Sequence, residues 1–383
     1  MRKVLSFTMA VIMIISVCTV FVYAEDYPQM QVEVRAKSAL LMEASTGRVL
    51  MAQNADERLY PASVTKIMSM LLVVEALENG KIQLTDVVTA SANASKKGGS
   101  QIWLKDGEQM TVDELLKATA VASANDACTA LGEYIAGSDD AFVKLMNDRA
   151  KQLGMNNTNF DNCTGLDDTT DSHYTTAYDI ALMSRELLKH DLIRNYSTVW
   201  MDTLRNGETQ LVNTNKLIKS YDGATGLKTG TTSKAGCCVS ASAERDGLEL
   251  IAVVMGSDNS NDRFNSARAM LDWGFANYSA VTLSADASLI TDVNVINGVC
   301  EKITPVIRDE STVVVQKGRE GDITQSVELA VDVEAPVEEN QVLGSVSFIL
   351  DGEKIAEYKL YSPQAVEKLS FFERYKRMLS RLL

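Results

Sequence analysis

At 383 residues, 46% of them hydrophobic and 23% charged, the chain is long enough to bury a substantial core and to divide into two domains. Its 37 Lys and Arg against 51 Asp and Glu give a formal net charge of −14. So acidic a chain is a poor nucleic-acid binder, because that binding rests on neutralising phosphates with cations. With only His173 and His190, and cysteines in no zinc-like spacing, a metal site is not expected and no cofactor is called for.

The first 24 residues read as a signal peptide. Arg2 and Lys3 precede an almost wholly apolar run from Val4 to Val22, and Val22-Tyr23-Ala24 offers compact residues to a signal peptidase before Glu25-Asp26. An uncleaved anchor is the alternative, since the run is long enough to span. A lipoprotein reading through Cys18 is disfavoured by the bulky Val17 before it. Cleavage removes Arg2 and Lys3 and no acid, which takes the net charge from −14 to −16. Cys128, Cys163, Cys237, Cys238 and Cys300 then remain. An odd set with two adjacent members, which a bridge would strain, reads as buried free thiols.

Residues 36–53 read as two short strands joined at Ser45-Thr46-Gly47. After Pro61 the period becomes helical: Val64, Ile67, Met68, Leu71, Leu72 and Ala76 recur at three and four until Gly80. Ser63-Val64-Thr65-Lys66 lies where this helix begins. Residues three apart share a helix face, so the hydroxyl and the amine can meet. A lysine whose pKa is lowered by burial and neighbouring cations can take the serine proton, and N–H groups at a helix start can hold a developing oxyanion. Taken alone, the motif is equally a serine capping a helix.

Further helical patterns occupy 112–121, 126–136, 139–153 and 176–189. Ser123-Ala124-Asn125 falls in the break between the first two, where its side chains can point into a cleft. The same Ser-x-Asn spacing at Ser91–Asn93 and Ser257–Asn259 is ordinary turn chemistry. His173 invites a Ser-His-Asp reading with Asp171 or Asp179, but no nucleophile motif adjoins it and a structural role is preferred. Lys228-Thr229-Gly230, followed by Thr231-Thr232, reads as a turn entering the first of two strands, Cys237–Ala243 and Leu248–Gly256. Such a lysine can meet a substrate carboxylate, and such a glycine lets a ligand approach. A helix near Asp262–Tyr278 closes an α+β block whose sheet should pair its beginning with its end.

From about Val281 short β-rich runs, split by Gly, Asp, Glu and Pro, argue for a small antiparallel β domain. At the tail, Phe371, Phe372, Tyr375, Met378, Leu379, Leu382 and Leu383 fall on one side of a helix. Arg374, Lys376, Arg377, Ser380 and Arg381 fall on the other. Roughly fourteen residues reach only about 21 Å, too short to cross a bilayer. A basic amphipathic helix in the membrane interface fits, with docking on the β domain as the alternative.

Ser-x-x-Lys, Ser-x-Asn and Lys-Thr-Gly, in this order, look like the active-site set of penicillin-recognising serine enzymes. The stretches PASVTKIM, GGSQIWLKDGE, SANDA, Asn162-Cys-Thr-Gly-Leu through HYTTAYDIA, and GLKTGTTSKAG narrow the likeness. They resemble the low-molecular-weight penicillin-binding proteins of the D-alanyl-D-alanine carboxypeptidase family, over nearly the whole exported chain. The resemblance implies an α+β, penicillin-binding/β-lactamase-like catalytic domain at 25–280 after a 1–24 leader. A β domain at 281–363 and an amphipathic helix at 364–383 would follow. It implies that Ser63 forms the acyl-enzyme, Lys66 is its base, and Ser123 and Asn125 complete the proton network and contact the peptide. Lys228, Thr229 and Gly230 would receive the carboxylate side of the substrate, and the N–H groups of Ser63 and Thr231 the oxyanion. Arg263 lies where the family often has a carboxylate-binding arginine, on a loose flanking match.

The implied partners are peptidoglycan pentapeptides ending in D-Ala-D-Ala, β-lactams as inhibitors, and a membrane surface met by residues 370–383. The exported protein would then work at the outer face of the cytoplasmic membrane or in the cell-wall space. A β-lactamase shares the three motifs, but the β domain, the tail and the lack of an evident deacylating Glu in 162–179 count against it. A penicillin-binding scaffold of wall synthesis is the third reading.

Overall fold

The computed structural model describes residues 27–308 and 312–380. The leader-like residues 1–24, and Arg381, Leu382 and Leu383 of the tail, lie outside the described residues. Strands β1 (Ser38–Glu43) and β2 (Val49–Gln53) form the expected hairpin. With β3 (Ala224–Thr232), β4 (Gly236–Arg245) and β5 (Leu248–Ser257) they make an antiparallel sheet in the order β2-β1-β5-β4-β3. β1 pairs with β5 from Ser38↔Met255 to Glu43↔Leu250, so the beginning of the block does close on its end. Leu40 and Met42 enter one core and Ala39 and Leu41 the other, the period of two that sends alternate side chains to opposite faces.

One face carries the helices α1 (Lys66–Glu78), α2 (Val112–Val121), α3 (Asn125–Ala136), α4 (Asp139–Gln152) and α5 (Ala177–Leu188). These agree with the periodic segments to within a residue or two. α1 buries residues all round its circumference, including Lys66, Ser69 and Val73, which makes it the axis of this layer. α2 starts with a reciprocal Thr111–Glu114 capping box, and α3 stops at Gly137 with φ +86°. The opposite face carries α6 (Ser260–Asn277), through Phe264, Ala267, Met270 and Leu271.

β3 is the main departure from the sequence reading, which made Lys228-Thr229-Gly230 a turn. Gly226 and Gly230 interrupt any hydrophobic alternation and a lysine stands at the centre, so the segment lacks the pattern of a strand. Cross-strand pairing forms it instead, from Gly226↔Ser242 to Thr232↔Gly236. Among the described residues it pairs with β4 alone, as the edge strand of the sheet, while Ser197 Oγ and Asn215 Nδ2 donate to its Thr225 and Gly226 carbonyls. Four of the free cysteines are buried as expected, whereas Cys300 is exposed.

Past Tyr278 the chain builds small sheets around Val293, Val295 and Leu343 and around Val315, Phe348 and Tyr358. They are not wholly antiparallel, since Asn294–Ile296 runs parallel to Asp332–Glu334. Helix α7 (Phe371–Ser380) follows. Among the described residues no helix is long and apolar enough to cross a membrane.

Candidate active site

Ser63 lies in a 3₁₀ turn, Ala62–Thr65, that runs straight into α1. The residue before it, Ala62, has φ +48°, a conformation that costs an alanine energy and persists only under restraint. The restraints are visible. Thr65 Oγ1 donates to the Ala62 carbonyl at 2.8 Å and meets His173 Nε2 at 2.8 Å, while the Asp161 N–H donates to His173 Nδ1 at 3.0 Å. His173 is therefore the tautomer with its proton on Nε2, and burial lowers its pKa to about 4. Gly165, at φ +85°, presses on the same carbonyl: a Cβ there would stand 1.8 Å from the Ala62 oxygen. The histidine props the turn that carries Ser63, the structural role that the sequence reading preferred. Asp171 pairs with Lys234, and Asp179 accepts from Thr158 and the Asn157 N–H, so neither aspartate forms a triad with it.

Lys66 is fully buried, and its Nζ lies 3.0 Å from Ser63 Oγ and 2.8 Å from the Thr164 carbonyl. Asn162 Oδ1 sets that carbonyl by accepting from the Thr164 and Gly165 N–H groups and from the Thr164 hydroxyl. Burial lowers the Lys66 pKa to about 8, which brings a free amine within reach of neutral solution. The spacing of three residues thus meets as expected.

Ser123 stands in the break between α2 and α3 with φ +62°, its neighbour Ala124 tied to the Ala118 carbonyl at 3.1 Å. Asn125 opens α3. Its Nδ2 donates to the Gly98 carbonyl at 2.6 Å, and its Oδ1 is buried without a protein partner, an acceptor still to be satisfied. The other two Ser-x-Asn copies do local work: Ser91 and Asn259 accept from backbone N–H groups at helix starts.

β3 brings the third motif alongside. A Cβ on Gly230 would stand 2.8 Å from both the Pro61 carbonyl and the Ser63 nitrogen, so only a bare strand can seat against the turn that carries Ser63. Lys228 is fully buried, donating to the Thr229 carbonyl at 3.1 Å. Burial first, then the charges of Lys66 and Arg263, hold its pKa well below the usual range. Thr229 Oγ1 donates to Thr214 Oγ1 at 2.7 Å. Arg263 is nearly buried, and Nη1 contacts the Gly230 carbonyl, Thr231 Oγ1 and the Cys238 carbonyl at 3.0, 3.0 and 3.2 Å. Its guanidinium is engaged by the motif strand itself. Among the described residues no cluster of His, Cys, Asp and Glu could hold a metal ion.

Sequence reasoning gave no specific role to Thr65, Asn162, Thr164, Gly165 or Thr214. All five act through backbone carbonyls or through other side chains, which leave no spacing signature.

A model of the D-alanyl-D-alanine carboxypeptidase family matches residues 24–259. The chain belongs to that family. Its activity is accordingly that of a serine-type D-Ala-D-Ala carboxypeptidase. A second model, the penicillin-binding protein 5 C-terminal domain, matches residues 278–368. The D-alanyl-D-alanine carboxypeptidase DacF of Bacillus subtilis is 41% identical, over 90% of this chain and 89% of that protein. Penicillin binding protein 5 from Haemophilus influenzae superposes with a TM-score of 0.75 at 31% identity, covering 88% of this carboxypeptidase and 99% of that chain. Penicillin-Binding Protein D2 from Listeria monocytogenes, in its ampicillin-bound form, matches 64% of this chain and all of its own, with a TM-score of 0.57 at 31% identity.

Proposed function

We propose that Ser63 is the nucleophile of this carboxypeptidase and Lys66 its base. The observation that carries the assignment is the 3.0 Å Lys66 Nζ–Ser63 Oγ contact in a buried site, with Gly230 of β3 closed against the same turn. The neutral amine takes the hydroxyl proton as Oγ attacks the carbonyl of the penultimate D-Ala. The N–H groups of Ser63 and Thr231 receive the oxyanion. As the C–N bond breaks, the proton passes through the Ser123 hydroxyl to the nitrogen of the departing D-Ala. Water then hydrolyses the Ser63 ester. The edge of β3 that no other strand pairs suits an extended peptide, which Asn125 would contact, and Lys228 and Thr229 suit its terminal carboxylate. Arg263 supports this indirectly by bracing Gly230 and Thr231. β-Lactams acylate the same serine.

The test is a pentapeptide ending in D-Ala-D-Ala, with released D-Ala and penicillin turnover followed together. D-Ala release with slow penicillin turnover is the expected result; fast penicillin hydrolysis without D-Ala release would make the protein a β-lactamase.

We read the protein as exported through residues 1–24 and peripheral on the outer face of the membrane or in the wall space through its tail. In support, α7 anchors by Arg377, which donates to the Gly298 and Val299 carbonyls at 3.1 and 3.2 Å, while Phe371 and Phe372 are 78% and 81% exposed. Aromatic side chains turned outward beside Arg374 and Lys376 suit an anionic lipid surface. Deleting residues 370–383 should abolish co-sedimentation of the mature protein with anionic phospholipid vesicles and leave D-Ala release from soluble peptide intact. Unchanged sedimentation would remove the tail from this role.

A further inference from the structure

A cleft of about 800 Å³ opens next to Ser123, lined in part by Ala122, and the reaction above makes no use of it. One wall is the loop Gln101–Glu108; the other is a hairpin whose strands are Met201–Leu204 and Thr209–Val212. Trp103 on the first wall is 74% exposed and has φ +61°. A large aromatic side chain does not hold that conformation, facing water, without cause. Here a single carboxylate pins it from both sides: Asp126 Oδ1 accepts from the Ile102 N–H at 3.2 Å and Oδ2 from the Leu104 N–H at 2.9 Å. Asp126 directly follows Asn125 on α3, so the indole is held out by the same helix start that carries the Ser-x-Asn motif.

Arg205 on the facing wall is also left-handed, with φ +52°. Its Nε donates to Glu108 at 2.7 Å, and Nη1 to the Ile102 carbonyl and Thr209 Oγ1 at 2.9 and 2.8 Å. These bonds tie the facing wall to the loop that carries Trp103 and hold the cleft in shape. The hairpin then runs through Asn213 into Thr214, which bonds Thr229. Each wall of the cleft is thus tied to a residue that flanks the proposed substrate.

The chemistry of the walls narrows the ligand. Glu108, Glu208, Asp106 and Gln210 make the cleft too polar for a lipid or an apolar peptide, and its carboxylates repel nucleic acid. A flat indole beside amides and carboxylates suits a sugar ring. Its C–H face can lie on the indole while its hydroxyl and acetamido groups bond to the rim. We propose that this cleft binds an amino-sugar segment of the peptidoglycan glycan strand, with Trp103 as the stacking platform and the amides and carboxylates of the rim bonding its hydroxyl and acetamido groups. The ligand class rests on the wall-peptide reading above.

The experiment titrates a GlcNAc–MurNAc oligosaccharide stripped of stem peptides into the mature protein, free and after acylation by penicillin, with binding read calorimetrically. Saturable binding that survives acylation is expected. Trp103→Ala should weaken it by about tenfold or more, and Trp103→Phe, which keeps an aromatic face, by less. No saturable binding by the unaltered protein would overturn the proposal, as would equal binding by the alanine variant. Loss of binding on acylation would also overturn it, by placing the sugar in the catalytic cleft. Penicillin labelling reports Ser63 separately, so a missing glycan site with intact labelling leaves the catalytic reading standing.

Discussion

Ser63→Ala is expected to abolish covalent labelling by penicillin and to lower D-Ala release by roughly 10⁴-fold or more, the scale on which removal of a covalent nucleophile acts. The hydroxyl has one protein partner of note, Lys66 Nζ at 3.0 Å, and that nitrogen keeps the Thr164 carbonyl at 2.8 Å when the hydroxyl goes. The turn that carries residue 63 is held by Thr65, His173 and Gly165, none of which contacts the lost oxygen. The variant should therefore melt within a few degrees of the parent while losing its chemistry. Mass spectrometry after penicillin treatment checks the first point and a thermal melt the second. A penicillin adduct on another serine would mean that the nucleophile lies elsewhere.

Lys66 carries the second large effect. If its neutral amine is the base, acylation should climb about tenfold per pH unit below about 8 and level off above it, because burial sets its pKa there. Stability moves in the same direction for a related reason. The folded pKa of about 8 lies below the ordinary 10.5, so between those values the unfolded chain binds more protons and stability rises with pH. Below about 8 the ammonium is charged in both states, and its burial costs roughly 3 kcal/mol relative to the free amine. Lys66→Met should accordingly reduce the acylation rate by about 10³-fold or more while removing a buried charge, so melting at pH 7 should not fall in proportion. Stopped-flow acylation across pH 6–10, beside melts of both proteins, tests the pair. A flat profile at the plateau rate down to pH 6 would exclude Lys66 as the base.

Much of this site is legible in the order of residues along the chain. Ser63 and Lys66 are local: a helix start after Pro61 and a spacing of three put them on one face, whatever the rest of the chain does. The helices α1 to α5 are equally local, because an apolar stripe of period 3.6 can be read off the residues that form it. The Lys-Thr-Gly segment differs. As a sequence it is a turn, rich in Gly and Thr around a charge, and only pairing to β4 makes it a strand and buries Lys228. That pairing is non-local, and no period within residues 224–232 reports it.

His173 shows the same division. Its isolation from any nucleophile motif was enough to doubt a triad, but not to find it propping the turn of Ala62 through Thr65, more than a hundred residues earlier in the chain. The left-handed backbone at Ala62, Ser123 and Trp103 is also silent in the sequence, since residues other than glycine, asparagine and aspartate rarely adopt it without tertiary restraint.

By itself, then, the sequence determined the acidic character of the chain, the helical segments and a serine paired with a lysine at the start of one of them. Tertiary structure alone decided that Gly230 closes on Ser63 and that the Thr164 carbonyl meets the Lys66 amine. It also decided that burial draws the Lys66 pKa down. Side-chain spacing along a helix follows from bond geometry, whereas contact between distant segments and the dielectric around a charge depend on how the whole chain packs.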